Sequence, residues 1–263
     1  MKKAFAFVLL AVLTLLLCLP VSAEEITVWV TIVDGAPVLA YRPVTVTDAD
    51  SDGALTISDA LACAHAAYCP AGASGFGTEQ TAFGISMTKL WNKDNSGGYG
   101  YYHNDTAPMS LADPVSNGDR VTAFLYQDMK FYSDVYAFFD KYEVSGKDIS
   151  LTLCTAGYDA EWNPVTAPAS GMSILVDGVP SGFVTGDDGK VTLTLDGKAH
   201  DITAEKADTV LVTPYCRVLA SDNPPTSDRT LGVMILGILC GGCVSFLAKK
   251  ATIPGFAGKV PKR

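Results

Sequence analysis

Two apolar runs, residues 4–19 and 230–248, enclose a stretch that holds every one of the chain's 28 acidic residues, from Glu24 to Asp228. That partition decides which part of the chain can build a water-facing fold. The first run follows Lys2 and Lys3 and ends at Pro20 and Val21-Ser22-Ala23, the pattern of a secretory signal over residues 1–23, cleaved before Glu24. Leu17 precedes Cys18, where a lipoprotein signal needs a small residue, so lipidation of that cysteine is not expected. The second run has 19 residues and no charge, near the ~20 of a membrane-spanning helix, and Lys249 and Lys250 close it. The basic tail, residues 249–263, is expected on the cytoplasmic side.

Residues 24–228 are then an exported ectodomain with 28 acidic against 11 basic residues, a net charge of about −17. Such a surface repels nucleic acid phosphates and favours cations. The acids are also locally concentrated. Asp48-x-Asp50-x-Asp52-Gly53, with Asp59 six residues after Gly53, follows the spacing of a calcium loop. Positions 1, 3, 5 and 12 would be Asp48, Asp50, Asp52 and Asp59. The carbonyl of Ala54 would serve at position 7, Thr56 at position 9, and Gly53 allows the sharp turn at position 6. The other reading is an Asp-rich turn that caps a helix beginning near Ile57. The loop resembles that of dockerin modules, which carry two copies; a single copy here implies a structural Ca2+ rather than cohesin binding.

Ile57, Leu61, Ala64 and Tyr68 recur at helical spacing and predict an amphipathic helix, with His65 on the same side as a packed or rim residue. Cys63 and Cys69 stand six apart at its end and are expected to close a small disulfide in an exported protein. Before the helix, residues 24–46 alternate as two strands around an Asp34-Gly35 turn. After it come a Gly-rich loop and residues 83–105, which read as strand, turn at "NSGG", strand. A last strand covers Val121 to Tyr126. Two strands, one helix and further strands predict a β-grasp layout over residues 24–130.

Trp91, the run Gly100-Tyr101-Tyr102-His103-Asn104 and the run Gly118-Asp119-Arg120-Val121 resemble a bacterial domain-of-unknown-function family related to the C-terminal β domain of transcobalamin. In transcobalamin-like proteins this domain closes over a corrinoid held against a helical barrel. The resemblance therefore implies corrinoid capture, although the chain has no such barrel. Trp91, Tyr99, Tyr101 and Tyr102 could offer flat faces to a sugar or a tetrapyrrole, with His103 as a ligand to a metal centre. The other reading is that alternate aromatics fill the space between sheet and helix. Asn104-Asp105-Thr106 is a glycosylation acceptor in a eukaryotic host.

Residues 131–220 open on Phe131, Tyr132, Tyr136, Phe138 and Phe139 and continue as short strands separated by Asp-Gly turns, which predicts a small β-sandwich. Residues 178–204 resemble carboxypeptidase-regulatory-like and related immunoglobulin-like modules, which act as spacers or adhesive domains. Cys154 and Cys216 are expected to pair, closing a loop of about 60 residues and stabilising by about 4 kcal/mol in the chain-entropy model. Residues 221–229 form a polar linker, and its "NPPTSD" resembles the wall-sorting signals of Gram-positive surface proteins. Pro224 and Thr226 match that signal, while Asn223 and Ser227 depart from it, so a sortase site and an ordinary juxtamembrane linker both stand. Cys240 and Cys243 read as small packable residues of the span.

The fold class expected is α+β followed by all-β: a β-grasp-like domain, then a β-sandwich, between a signal peptide and a transmembrane helix. No HExxH, GxSxG or phosphate-binding glycine loop occurs, and His65, His103 and His200 lie far apart, which argues against an enzyme. Carboxylate pairs for glycoside hydrolysis stay open, since Asp and Glu are abundant. The function expected is display of a calcium-stabilised binding or adhesion domain at the cell surface. Its ligand would be a glycan, a protein or a corrinoid, and a purely structural surface protein is the further reading.

Overall fold

The computed structural model describes residues 25–161 and 163–220. The expected signal, linker, sorting site and membrane span, with Pro224 and Thr226, lie outside the described residues. What is described is mostly β, with one α-helix, and belongs to one compact unit. Among the described residues no helix is long and apolar enough to cross a membrane.

Strand β1 (Ile26–Asp34) carries Val28, Val30 and Ile32 at alternate positions, all fully buried. It pairs antiparallel with β2 (Ala36–Val46) around Gly35, whose φ of +71° suits a glycine. The helix α1 (Ile57–Tyr68) follows the acidic loop, then β3 (Gly77–Thr81), β4 (Gly84–Lys89), β5 (Tyr99–His103) and β6 (Arg120–Leu125). The four-stranded sheet has the order β2-β1-β6-β5, with β6 parallel to β1. Parallel neighbours need a long crossover, and α1 lies within it. Its Ile57, Leu61 and Ala64 close one core with Val28, Val30, Val121 and Leu125.

The strand, turn and strand expected over residues 83–105 are all present, with Ser96 and Gly97 of the "NSGG" turn at φ of 50° and 83° and the Gly98 amide donating to the Asn95 carbonyl at 2.8 Å, but the two strands do not pair with each other. β4 pairs with β3 as a separate two-stranded sheet, and β5 pairs with β6, so residues 83–105 are not a hairpin. The chain also reverses before that turn, through Trp91 and Asn92 at φ of 49° and 62° and a bridge between Leu90 and Lys93. Asn tolerates this left-handed backbone, whereas a bulky Trp rarely adopts it.

The second half comprises β7 (Val135–Phe139), β8 (Glu143–Ser145), β9 (Asp148–Tyr158), β10 (Pro164–Pro168), β11 (Ser173–Val176), β12 (Val179–Val184), β13 (Lys190–Thr194), β14 (His200–Glu205), β15 (Leu211–Val212) and β16 (Cys216–Leu219). One sheet runs β10-β9-β7-β15 with β13 also on β9; the other runs β12-β11-β14-β16-β8. Between them lies a second core that includes Phe139, Leu151, Leu153, Ile174, Leu193, Ile202 and Val218, a sandwich-like arrangement. The turn between β11 and β12 holds Asp177 and Gly178 at φ of 52° and 77°. Positive φ at both central residues is what a two-residue hairpin turn of this kind demands.

A third apolar cluster, Val33, Phe124, Tyr136 and Val212, takes side chains from both halves. Beside it Tyr102 of β5 stacks on Tyr136 of β7, ring centroids 3.7 Å apart and 7° from parallel. A charged group lies in the same joint. Asp105, its side chain only 10% exposed, accepts from Arg120 at 3.0 Å and from the Tyr136 hydroxyl at 3.0 Å, and also bonds the Tyr142 hydroxyl. A carboxylate so far removed from water persists only with partners of this kind.

Gly100 of β5 lies under Phe124, and a Cβ there would stand 2.1 Å from the ring. Gly100→Ala is therefore expected to destabilise the chain by about 1–3 kcal/mol in urea unfolding, as overpacking does. Gly157→Ala on β9, where nothing lies within 4 Å, should stay within about 0.5 kcal/mol of the parent.

Candidate functional site

The loop between β2 and α1 brings Asp48, Asp50 and Asp52 together, one carboxylate oxygen from each lying within 4.8 Å of the others. The backbone bends through Ser51 at φ 65° and Gly53 at φ 91° to do so. The turn is stitched by amides donating to the same carboxylates: Gly53 N–H to Asp48 at 2.9 Å, Asp52 N–H to Asp48 at 3.1 Å and to Asp50 at 3.2 Å, and Ala54 N–H to Asp52 at 2.8 Å. These bonds act unequally on the acids. The Gly53 amide foremost holds Asp48 below the usual carboxylate range. Asp50 is pushed above it, by desolvation first and then by the charges of Asp52, Asp59 and Asp48.

Thr56 and Asp59, the remaining side chains of the expected ligand set, form a capping box. The Thr56 hydroxyl donates to Asp59 at 2.6 Å, the Thr56 amide donates to Asp59 at 2.9 Å, and the Asp59 amide returns a bond to Thr56 at 3.3 Å. Asp59, 2% exposed, also accepts from the Ala49 amide at 2.8 Å. The two readings of this stretch are thus two parts of one loop: positions 1, 3 and 5 gather carboxylates, while positions 9 and 12 cap the helix. The gathered set suits a hard cation. Oxygens on opposite sides of a Ca2+ stand about 4.6–5.2 Å apart, given bonds of about 2.3–2.6 Å, and the three carboxylates lie within that span of one another.

The aromatic residues do not share one surface. Trp91, Tyr99 and Tyr101 pack against the core under α1. The Tyr99 hydroxyl donates to the Thr88 carbonyl at 2.8 Å and accepts from the Asn95 amide at 2.7 Å. Tyr102 faces the opposite side and joins Tyr136, as the two-residue period of a strand requires. The ring of His103 bonds Asp119 at 2.9 Å, and Asp119 in turn accepts from the Ser116 amide at 2.7 Å. Of the two readings of the aromatics, packing between sheet and helix describes Trp91, Tyr99 and Tyr101, while strand geometry keeps Tyr102 off their face; of the five residues, Tyr99 and Tyr101 line a common cleft of about 360 Å³ with Ile85 and Met87.

Both expected disulfides are also corrected, since Cys63, Cys69, Cys154 and Cys216 are free. Six residues along a helix turn the direction by about 600°, that is 240°. Cys63 accordingly meets Thr47, its sulfur 3.6 Å from that hydroxyl, while Cys69 lies against Gly75. On β9 the buried residues are Ile149, Leu151 and Leu153, so Cys154 points out of the sandwich, whereas Cys216 is fully buried inside it.

His65 is fully buried, as its place on the apolar stripe implies. Its Nδ1 lies 2.6 Å from the Leu61 carbonyl, which can only accept, and its Nε2 lies 2.9 Å from the Trp91 amide, which can only donate. These partners fix the neutral ring. Comparisons with family models, with curated proteins and with solved structures found no match.

Burial holds the His65 pKa below its ordinary 6.5. A group depressed in this way binds its proton more tightly when unfolded, so its contribution is complete above pH ~6.5 and is lost as pH falls from there through the lower folded value. Urea unfolding between pH 7 and pH 5 should show stability falling by up to about 1.4 kcal/mol per unit on account of this site. His65→Gln, which cannot titrate, should show a shallower slope. His200, whose pKa Asp177 and then Asp196 raise, has the opposite sign but is the same in both proteins.

Proposed function

We propose that this chain is a surface-displayed binding protein without catalytic activity, in which the first half is a β-grasp module stabilised by Ca2+ and the second an immunoglobulin-like stalk. The observation that carries the reading is the convergence of Asp48, Asp50 and Asp52 in one loop of an acidic ectodomain. An exported protein meets calcium at millimolar levels, and the loop offers oxygen donors alone. Asp48, Asp50 and Asp52 would hold the ion together with the Ala54 carbonyl. The ion would supply charge neutralisation rather than chemistry.

Anchoring through residues 230–248, with or without a sortase acting near Thr226, follows from the sequence and would hold the binding module away from the membrane on its stalk. The sheet order β2-β1-β6-β5 with α1 across one face supports the β-grasp assignment. The histidines support binding over turnover, since each is engaged in structure: His65 as above, His103 with Asp119, and His200 between Asp177 at 2.7 Å and Asp196 at 2.8 Å. A protein or glycan ligand agrees better with the split aromatic set than a corrinoid, which would need a continuous flat platform.

The melting temperature of the full chain, purified in detergent, tests the cation. Saturation at about 100 times the dissociation constant stabilises by about 2.7 kcal/mol. That corresponds to a rise of roughly 5–10 °C for a chain of this size. A chelator should reverse the rise, and the double variant Asp50→Asn, Asp52→Asn should abolish it. A melting temperature indifferent to calcium and chelator would remove the basis of the reading.

A further inference from the structure

The small sheet formed by β3 and β4 has an open side. Among the described residues β3 pairs with β4 alone, so the N–H and C=O groups along its other edge are left without strand partners. Exposed edges invite a further strand, and proteins commonly guard them. Of the strands at sheet edges, β2, β10 and β12 contain proline, at Pro37 and Pro43, at Pro164 and Pro168, and at Pro180, whereas β4, β5, β8, β13 and β15 do not. β3, with the sequence Gly-Thr-Glu-Gln-Thr, is likewise without proline.

β3 also borders a cleft. Residues 77–80 form one wall of a cleft of about 420 Å³ whose other wall is Ser58 and Ala62 of α1 together with the acidic loop at Asp50. That volume falls in the range of roughly 300–1,000 Å³ typical of ligand sites. Phe76 and Ile85, both packed on the first core and partly exposed, give the cleft an apolar floor. Its charged lining residues are all acidic. Asp59 is 2% exposed and tied up in the helix cap and Asp50 belongs to the cation loop, which leaves Glu79 as the acid free to meet a ligand.

We propose that the cleft between α1 and the free edge of β3 docks an extended basic segment of a partner protein. The segment adds as a strand to β3, seats alternate apolar side chains on Phe76 and Ile85, and turns its lysines or arginines toward Glu79 and the net negative charge that three carboxylates keep around one divalent ion. Backbone pairing supplies affinity without regard to sequence, while the floor, Glu79 and the acidic loop select the alternation of apolar and basic residues. The proposal deepens the binding-protein reading and rests on it, but not on the identity of the anchor.

Fluorescence anisotropy with the full chain in detergent tests it, using a fluorescein-labelled peptide of alternating lysine and valine, three of each. Saturable binding is expected, and an alternating glutamate and valine peptide should not bind. Two further lysine–valine peptides, N-methylated on the amides of one parity or the other, keep charge and side chains; one of them should bind at least about tenfold more weakly, as lost backbone hydrogen bonds require. Glu79→Lys should weaken the parent peptide at least about fivefold. Glu79 lies outside the Asp48–Asp50–Asp52 cluster, so this variant should keep the calcium-dependent melting temperature. No saturable binding by a protein that still responds to calcium would overturn the docking site and leave the cation reading standing. Equal binding of both methylated peptides would also overturn it, as plain charge attraction. Peptide binding with the expected parity preference but no calcium response would support the docking site while the cation reading fell.

Discussion

Like charges held within a few ångströms of one another must be opposed, and the first half of this chain is arranged around how that is done. Asp48, Asp50 and Asp52 are drawn together by a loop whose own amides bond to them, and the proposed cation completes the neutralisation. The next acid along, Asp59, accepts from Ala49 inside the loop and from Thr56 at the start of α1. One carboxylate therefore joins loop to helix. Since α1 closes the core over β1 and β6, the packing of the sheet depends in turn on a loop that is otherwise exposed.

Much of the fold could be read from local pattern. Alternation and an Asp-Gly turn located β1 and β2, the 3.6-residue stripe located α1, and Asp-Gly pairs located the turns of the second half. Parity decides the places where two readings competed. Counting by twos from Leu151 and Leu153 turns Cys154 outward, and counting from Tyr99 and Tyr101 turns Tyr102 to the other face. The first signal was outweighed by the attraction of pairing cysteines, whereas the second had already supplied the reading in which alternate aromatics fill the space between sheet and helix. The turn at "NSGG" was legible, but which strand each of β4 and β5 joins was not, because their partners β3 and β6 are set by the wider packing.

The joint between the halves was illegible for a different reason. Asp105 reads as an ordinary acid in an Asn-Asp-Thr run, yet its partners Arg120, Tyr136 and Tyr142 lie 15, 31 and 37 residues away. Nothing local distinguishes an acid that will be buried by a later segment from one that will face water. The candidate site divides in the same way: the carboxylates of the loop are spaced for their role in the chain itself, whereas the cleft at β3 exists only because α1 and a separate hairpin meet. Charge and aromatic stacking at the joint couple the first half of the chain to the second.

Amide hydrogen exchange along α1, with calcium and with chelator, tests most directly whether the acidic loop holds the helix through a bound cation. The account predicts that the amides of Ala60 and Leu61, in the first turn after the cap, exchange at least about tenfold more slowly with calcium, as a locally stabilised segment does. Identical exchange in both conditions would contradict it.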